Sequence, residues 1–154
     1  MAESLASGSS TTGNGRPGPT VVVGIDGLEP SRAALEWGVR YADRVGATVR
    51  AVAVWRRLPT VGQPEWFTES EYERDAQEWL EEALAGLPKD RHDDVEGLVA
   101  RGEPGETLLK HAHDADALVL GNSRGGAIGG ALLGSVALHC AHHARCPLVL
   151  VPAR

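Results

Sequence analysis

Apolar residues along the chain follow two spacings, and these spacings predict five β-strands that alternate with four helices. Short uninterrupted runs of β-branched and other apolar residues, such as TVVVGI at 20–25, are typical of strands buried on both faces of a sheet. The other predicted strands lie at 49–55, 94–100, 117–120 and 147–151. Between the strands, apolar residues recur every three or four positions, which predicts amphipathic helices.

The first helix is expected to begin at Pro30 and to end at Gly46, because proline suits a first helical turn and glycine a helix end. Its buried stripe is predicted at every fourth residue: Ala33, Trp37, Tyr41 and Val45. The remaining helices are predicted over 72–87, 104–112 and 135–144. Gly97, within the third strand, indicates a β-bulge.

This order of elements predicts an α/β fold in a single domain. Strand–helix–strand units of this length form right-handed crossovers between parallel strands, so helices cover both faces of one five-stranded, doubly wound sheet. The domain is expected to span residues 20–154. Residues 1–19 are rich in Ser, Gly and Thr and have no apolar segment, which predicts a disordered tail rather than a signal peptide.

Composition and charge argue against several classes of function. The chain has 154 residues and a formal net charge of −6, which argues against general binding to nucleic acid. No apolar run reaches the roughly 18 residues needed to cross a membrane, so no membrane association is expected. The two cysteines, Cys140 and Cys146, are too few for a disulfide framework and are expected to be reduced, which favours the cytoplasm.

Glycines crowd the segment between the fourth strand and the last helix. Six of them lie between Gly121 and Gly134 inclusive, and Ser135 follows at the predicted helix start. A strand, a glycine-rich loop and a helix N-terminus are together typical of a phosphate-binding site, because unpaired N–H groups and the helix dipole attract anions. Alternatively, the glycines only permit a sharp turn and Ser135 is an ordinary N-cap.

Asp26 directly follows the first strand. Its carboxylate is therefore expected at the carboxyl edge of the sheet, which is where open α/β sheets bind ligands. Asp-Gly is also a common turn pair, so a purely structural role for Asp26 is the alternative.

Other candidate chemistry is weaker. A cluster in and after the last helix contains His139, Cys140, His142, His143 and Cys146. It lacks a paired-ligand motif, and no metal site is predicted from it. The chain has no nucleophile-elbow motif and no P-loop, which argues against a fast enzyme.

Three segments resemble the universal stress protein family: VVVGIDGLEPSRAALEW, RGEPGETLL and LVLGNSRGGAIGGALLGSVALHCAHHARCPLVLV. Together they extend the resemblance over essentially all of residues 20–153, and the last segment is the most specific. The resemblance implies a parallel five-stranded sheet of strand order 3-2-1-4-5. It also implies binding of ATP or a related adenine nucleotide, alone or with Mg²⁺, and a role as a stress-response sensor or regulator.

Nucleotide-binding members of that family share a loop pattern of Gly, two residues, Gly, nine residues, and then Gly-Ser or Gly-Thr. Anchored on Gly134 and Ser135, the pattern matches Gly121 and places its second glycine on Arg124. A shift of one residue uses Gly125 instead. An arginine at this position either obstructs the approach of phosphate to the backbone or replaces amide contacts with a guanidinium group.

The resemblance also implies which residues contact the nucleotide. They come from the ends of three strands and from the glycine-rich segment: Gly24, Ile25, Asp26, Val54, Leu120, Gly121, Arg124, Gly125, Gly134, Ser135 and Val136. The last strand, from Pro147 to Val151, is expected to pair with a second copy and form a homodimer. The alternatives are a dimeric interaction module that binds no nucleotide and a slow ATPase that uses Asp26.

Replacement of Arg124 by glycine distinguishes the nucleotide-binding hypothesis from the interaction module. If the natural chain binds nucleotide, titration calorimetry of the purified, nucleotide-free wild-type protein with ATP shows binding. Binding that appears only in Arg124→Gly would identify the natural chain as a non-binder.

Overall fold

The computed structural model describes residues 18–58, 62, 68–122 and 133–153. The strands are β1 (Thr20–Ile25), β2 (Thr48–Trp55), β3 (Val95–Arg101), β4 (Ala117–Asn122) and β5 (Leu148–Pro152). The helices are α1 (Glu29–Val45), α2 (Glu69–Ala85), α3 (Pro104–His111) and α4 (Ser135–His143). The predicted alternation of strands and helices is confirmed. Residues 1–17 of the predicted tail lie outside the described residues.

The five strands form one parallel sheet in the order β3-β2-β1-β4-β5, which is the order that the family resemblance implies. β1 lies at the centre, where Val21 is in register with Val49 of β2 on one side and with Ala117 of β4 on the other. The chain therefore moves outward from β1 to β3 and then crosses back to β4. This reversal places a topological switch point between β1 and β4.

Alternate residues of each strand supply two separate layers of core. Val21 and Val23 pack with residues of α1 and α2 on one face of the sheet. Val22 and Leu118 pack with residues of α3 and α4 on the other face. All four side chains are completely buried, which explains why the central strands read as unbroken apolar runs.

The buried face of α1 differs from the predicted stripe. Ala33 is buried, but Trp37 and Tyr41 are half-buried and Val45 is 43% exposed. The core-facing residues are instead Ala34, Leu35, Gly38, Val39 and Ala42. A strict spacing of four drifts around a helix by about 40° per step, because each residue turns the helix by roughly 100°. Alternating steps of three and four keep the buried residues on one face.

Two features, one just before β3 and one within it, also differ from the sequence prediction. A 3-10 helix, Lys89–Asp94, precedes β3; its polar sequence has no apolar period that would have indicated it. The predicted bulge at Gly97 is wrong, because β2 and β3 pair in continuous register through Ala51 and Gly97. Gly97 accommodates Leu80 of α2 instead: a Cβ at this position would lie 3.1 Å from the Leu80 side chain.

No helix within the described ranges is both long enough and apolar enough to span a membrane.

Gly121, near the end of β4, allows the sheet to approach the first turn of α1. A Cβ at this position would lie 2.6 Å from the backbone nitrogen of Ser31 and closer still to the Pro30 carbonyl group. These neighbours are backbone atoms of a helix start, so they cannot move aside as a side-chain end can. The first glycine of the predicted phosphate loop therefore has a packing role of its own.

We expect Gly121→Ala to reduce the free energy of unfolding by about 1–3 kcal/mol, the usual cost of overpacking. Urea denaturation measures the change. Gly97→Ala is the matched control: the nearest neighbours of its Cβ would be side-chain atoms of Leu80 and Leu84, at 3.1 Å or more, and its effect should be much smaller. Equal stability of Gly121→Ala and the unmodified chain would contradict the packing role.

Candidate functional site

A cavity of about 540 Å³ opens at the carboxyl ends of β1, β2 and β4. Its described walls come from α2 on one side and from the starts of α3 and α4 on the other. The cavity coincides with the switch point between β1 and β4, the position at which open α/β sheets bind their ligands.

The floor of the cavity is apolar. Val52 and Val54 come from β2, Leu120 from β4 and Leu108 from α3. Gly24 of β1 lies among them, and a Cβ there would lie 2.7 Å from Leu120 Cδ2 and 3.1 Å from Leu108 Cδ1. Because Gly24 has no side chain, Leu108 and Leu120 can pack directly against the backbone of β1 and form a hydrophobic surface there.

Asp26 sits on the cavity wall and also builds the turn that follows β1. Its Oδ1 accepts a hydrogen bond from the Leu28 amide at 2.9 Å, and its own amide donates to Ser31 Oγ at 3.3 Å. Gly27 adopts φ 80°, a left-handed conformation that glycine takes without strain. The predicted turn role of Asp26 is therefore present, and the carboxylate lines the cavity at the same time.

The first turn of α4 opens into the cavity without a side-chain cap. Gly134, not Ser135, occupies the N-cap position, with φ −61° and ψ 162°. The first bond of this helix runs from the Leu138 amide to the Gly134 carbonyl at 2.9 Å. The amides of Ser135, Val136 and Ala137 consequently have no acceptor within the helix, and all three residues line the cavity.

Ser135 is exposed and occupies the first helical position. In the described part of the chain its hydroxyl has no hydrogen-bond partner, so the interpretation of Ser135 as an ordinary N-cap is wrong. A Cβ added at Gly134 would meet no atom of the described residues within 4 Å, so these residues leave the space beside the helix start open.

The cavity brings together nine of the eleven residues expected at the nucleotide site. They are Gly24, Ile25, Asp26, Val54, Leu120, Gly121, Gly134, Ser135 and Val136. The other two, Arg124 and Gly125, lie outside the described residues.

One wall of the cavity was not expected from the sequence. Tyr72, Asp75 and Trp79 of α2 line it, at spacings of three and four that place them on one helical stripe. The two aromatic residues also fit the apolar pattern of a core helix, so the sequence did not indicate that they line a cavity. Asp75, a carboxylate between them on that stripe, was the available signal.

Two ion pairs flank the cavity rim. Arg56, which lines the cavity, donates from one guanidinium nitrogen to both carboxylate oxygens of Glu103 at 2.7 Å. Arg101 pairs with Glu69 at the start of α2 and lies over the Trp55 ring, 5.3 Å from its centroid. These contacts join the ends of β2 and β3 to the starts of α2 and α3.

The histidine and cysteine cluster lies mainly at the packing surface between α3 and α4. The His139 ring covers Gly105 and lies 4.7 Å from the His143 ring, measured between centroids. Cys140 is buried, and burial raises the pKa of its thiol. Partial burial also raises the pKa of the Cys146 thiol. Within the described ranges, no group of three or more His, Cys, Asp or Glu side chains is arranged to hold a metal ion.

Comparison with known proteins identifies relatives along nearly the whole chain. The model of the universal stress protein family matches residues 19–152. A universal stress protein of Mycolicibacterium smegmatis is 34% identical over 139 residues, which cover 87% of this chain and 46% of the relative. The chain thus spans about half the length of the curated relatives it matches.

Solved structures show the same fold. The universal stress protein of Archaeoglobus fulgidus in complex with dAMP is 25% identical, with a TM-score of 0.59 and coverage of 86% of this chain and 96% of that one. A universal stress protein in complex with cAMP is 24% identical, with a TM-score of 0.63 and coverage of 88% and 98%. From the family match and the sequence identities together, this chain belongs to the universal stress protein family.

Proposed function

We propose that this chain binds an adenine nucleotide in the cavity and acts as a cytoplasmic stress-response sensor or regulator. The proposed ligand is ATP or a related nucleotide, alone or with Mg²⁺. The dAMP complex of the Archaeoglobus fulgidus relative supports a ligand of this class. The first turn of α4, whose amides have no intrahelical acceptor, is the observation in this chain that carries the proposal.

That helix start suits a phosphate group. The amides of Ser135, Val136 and Ala137 point away from the helix body and have no intrahelical acceptor. The helix dipole adds a partial positive charge at the same end, and the Ser135 hydroxyl adds a further donor. Because Gly134 carries no side chain, a phosphate can approach these donors without displacing a cap.

The apolar floor suits the base. A purine is flat and largely apolar on its faces, and Val52, Val54, Leu108 and Leu120 present a continuous hydrophobic surface beside the α4 start. Ligand sites commonly combine such a surface with a few polar groups that fix orientation. The cavity therefore supports a ligand with a hydrophobic ring at one end and an anion at the other.

Binding is better supported than rapid hydrolysis. Asp26 is the carboxylate that the sequence offers as a general base, and its Oδ1 is already engaged by the Leu28 amide. A base must reach the proton that it abstracts, and this carboxylate is held as part of a turn. We therefore propose occupancy of the cavity, rather than turnover, as the regulated quantity.

Titration calorimetry of nucleotide-free protein with ATP and Mg²⁺ should show binding, and Gly134→Asp should weaken it at least about tenfold. The new carboxylate caps the free amides and repels phosphate, while stability stays equal or rises by about 0.5–1 kcal/mol. Ala141→Asp, which adds the same charge at an exposed position farther along α4, is the control. A flat trace from folded wild-type protein, or unchanged affinity in Gly134→Asp, would contradict the proposal.

A homodimer formed through β5 is the second part of the proposal. β5 pairs with β4 on one side and is the last strand of the sheet, and no strand among the described residues pairs with its other edge. Its apolar residues from Leu148 to Val151 are only half-buried. Both features favour a partner strand along this edge.

Light scattering of the purified chain at micromolar concentration should give the mass of a dimer. A second copy that covers β5 removes both the open backbone edge and the half-buried apolar side chains from water. A monomer mass at this concentration would contradict the β5 interface, whatever the nucleotide titration shows.

A further inference from the structure

Asp75 differs from the other charged residues that line the cavity. Asp26 accepts a hydrogen bond from the Leu28 amide, and Arg56 is paired with Glu103. Asp75 is half-buried, and in the described part of the chain it has neither a hydrogen bond nor an ion pair. A carboxylate that loses water without gaining a donor is destabilised, so a site of this kind favours a ligand that supplies one.

The surroundings of Asp75 suit an uncharged part of a ligand. Tyr72 and Trp79 flank it on the same stripe of α2, one helical turn away on either side. The α4 start, where the phosphate is expected, belongs to the opposite wall of the cavity. Since a carboxylate repels phosphate, Asp75 and the α4 amides together favour one orientation of a nucleotide over its reverse.

We propose that Asp75 is a specificity-determining residue that accepts a hydrogen bond from the nucleoside part of the bound nucleotide. This inference rests on the proposed function, because it requires nucleotide in the cavity. The donor is a ribose hydroxyl or the exocyclic amino group of adenine, both of which are neutral O–H or N–H donors. The charged acceptor makes such a bond stronger than one between neutral groups.

The test compares AMP affinity in the wild-type chain, Asp75→Asn and Glu78→Gln by titration calorimetry. Glu78→Gln removes the same charge from the exposed side of α2 and is the control. Asp75→Asn should bind AMP about tenfold more weakly, as expected for loss of a hydrogen bond to a charged group. Glu78→Gln should bind like the wild type, and thermal unfolding should be similar in all three.

Analogues of AMP identify the donor and separate recognition from a structural effect. The same three proteins are titrated with 2′-deoxy-AMP, 3′-deoxy-AMP and inosine monophosphate, each of which lacks one candidate donor. The loss caused by Asp75→Asn should disappear for the analogue that lacks the group bound by Asp75. An equal loss for AMP and all three analogues would overturn the assignment.

Two further outcomes have separate meanings. If wild-type protein binds AMP and Asp75→Asn binds it as tightly or more tightly, the role of Asp75 is wrong while the proposed function stands. If folded wild-type protein binds no adenine nucleotide, the proposed function is wrong and the role of Asp75 falls with it.

Discussion

The pairing of β1 with β4 at the centre of the sheet is the constraint on which the rest of the structure depends. The chain leaves β1 toward β2 and β3 and returns on the other side to β4 and β5. Helices α1 and α2 therefore pack on one face, and α3 and α4 on the other. Helix α1, the next helix after β1, and helix α4, the next helix after β4, lie on opposite faces of the sheet, and a crevice lies between their first turns at its carboxyl end.

Rigid elements position the groups around that crevice. The central strands are buried on both faces, so Gly24 and Leu120 are held by the core beneath them. Gly121 fixes the distance between β4 and the first turn of α1, which carries Ser31 and the turn built by Asp26. The cavity consequently divides into an apolar floor, a wall at α4 whose amides have no intrahelical acceptor, and an acidic, aromatic wall at α2. Each part has a different physical preference for a ligand, and under the proposed function the three parts together favour one orientation of the nucleotide.

The sequence predicts most of this fold because its strongest signals are also the physical causes of the structure. Unbroken β-branched runs identify the buried strands, and the glycine-rich segment before Ser135 identifies the open helix start. The face of α1 is less predictable, since Trp37 and Tyr41 are large and apolar yet remain half-buried while small residues such as Gly38 pack against the sheet. Asp75 is a carboxylate on an otherwise apolar stripe, which is a local signal, but its place at the cavity also depends on how α2 lies across the sheet, and the spacing within α2 does not encode that.

Backbone-amide NMR during a titration with AMP tests the central claim most directly, because it observes the proposed phosphate donors themselves. Phosphate bound at the start of α4 predicts large shifts for the amides of Ser135, Val136 and Ala137, with smaller shifts for Gly24 and Val54 on the cavity floor. Saturable shifts that spare these three amides and cluster elsewhere would contradict a nucleotide held by the α4 start. An unchanged spectrum at millimolar AMP would contradict nucleotide binding altogether.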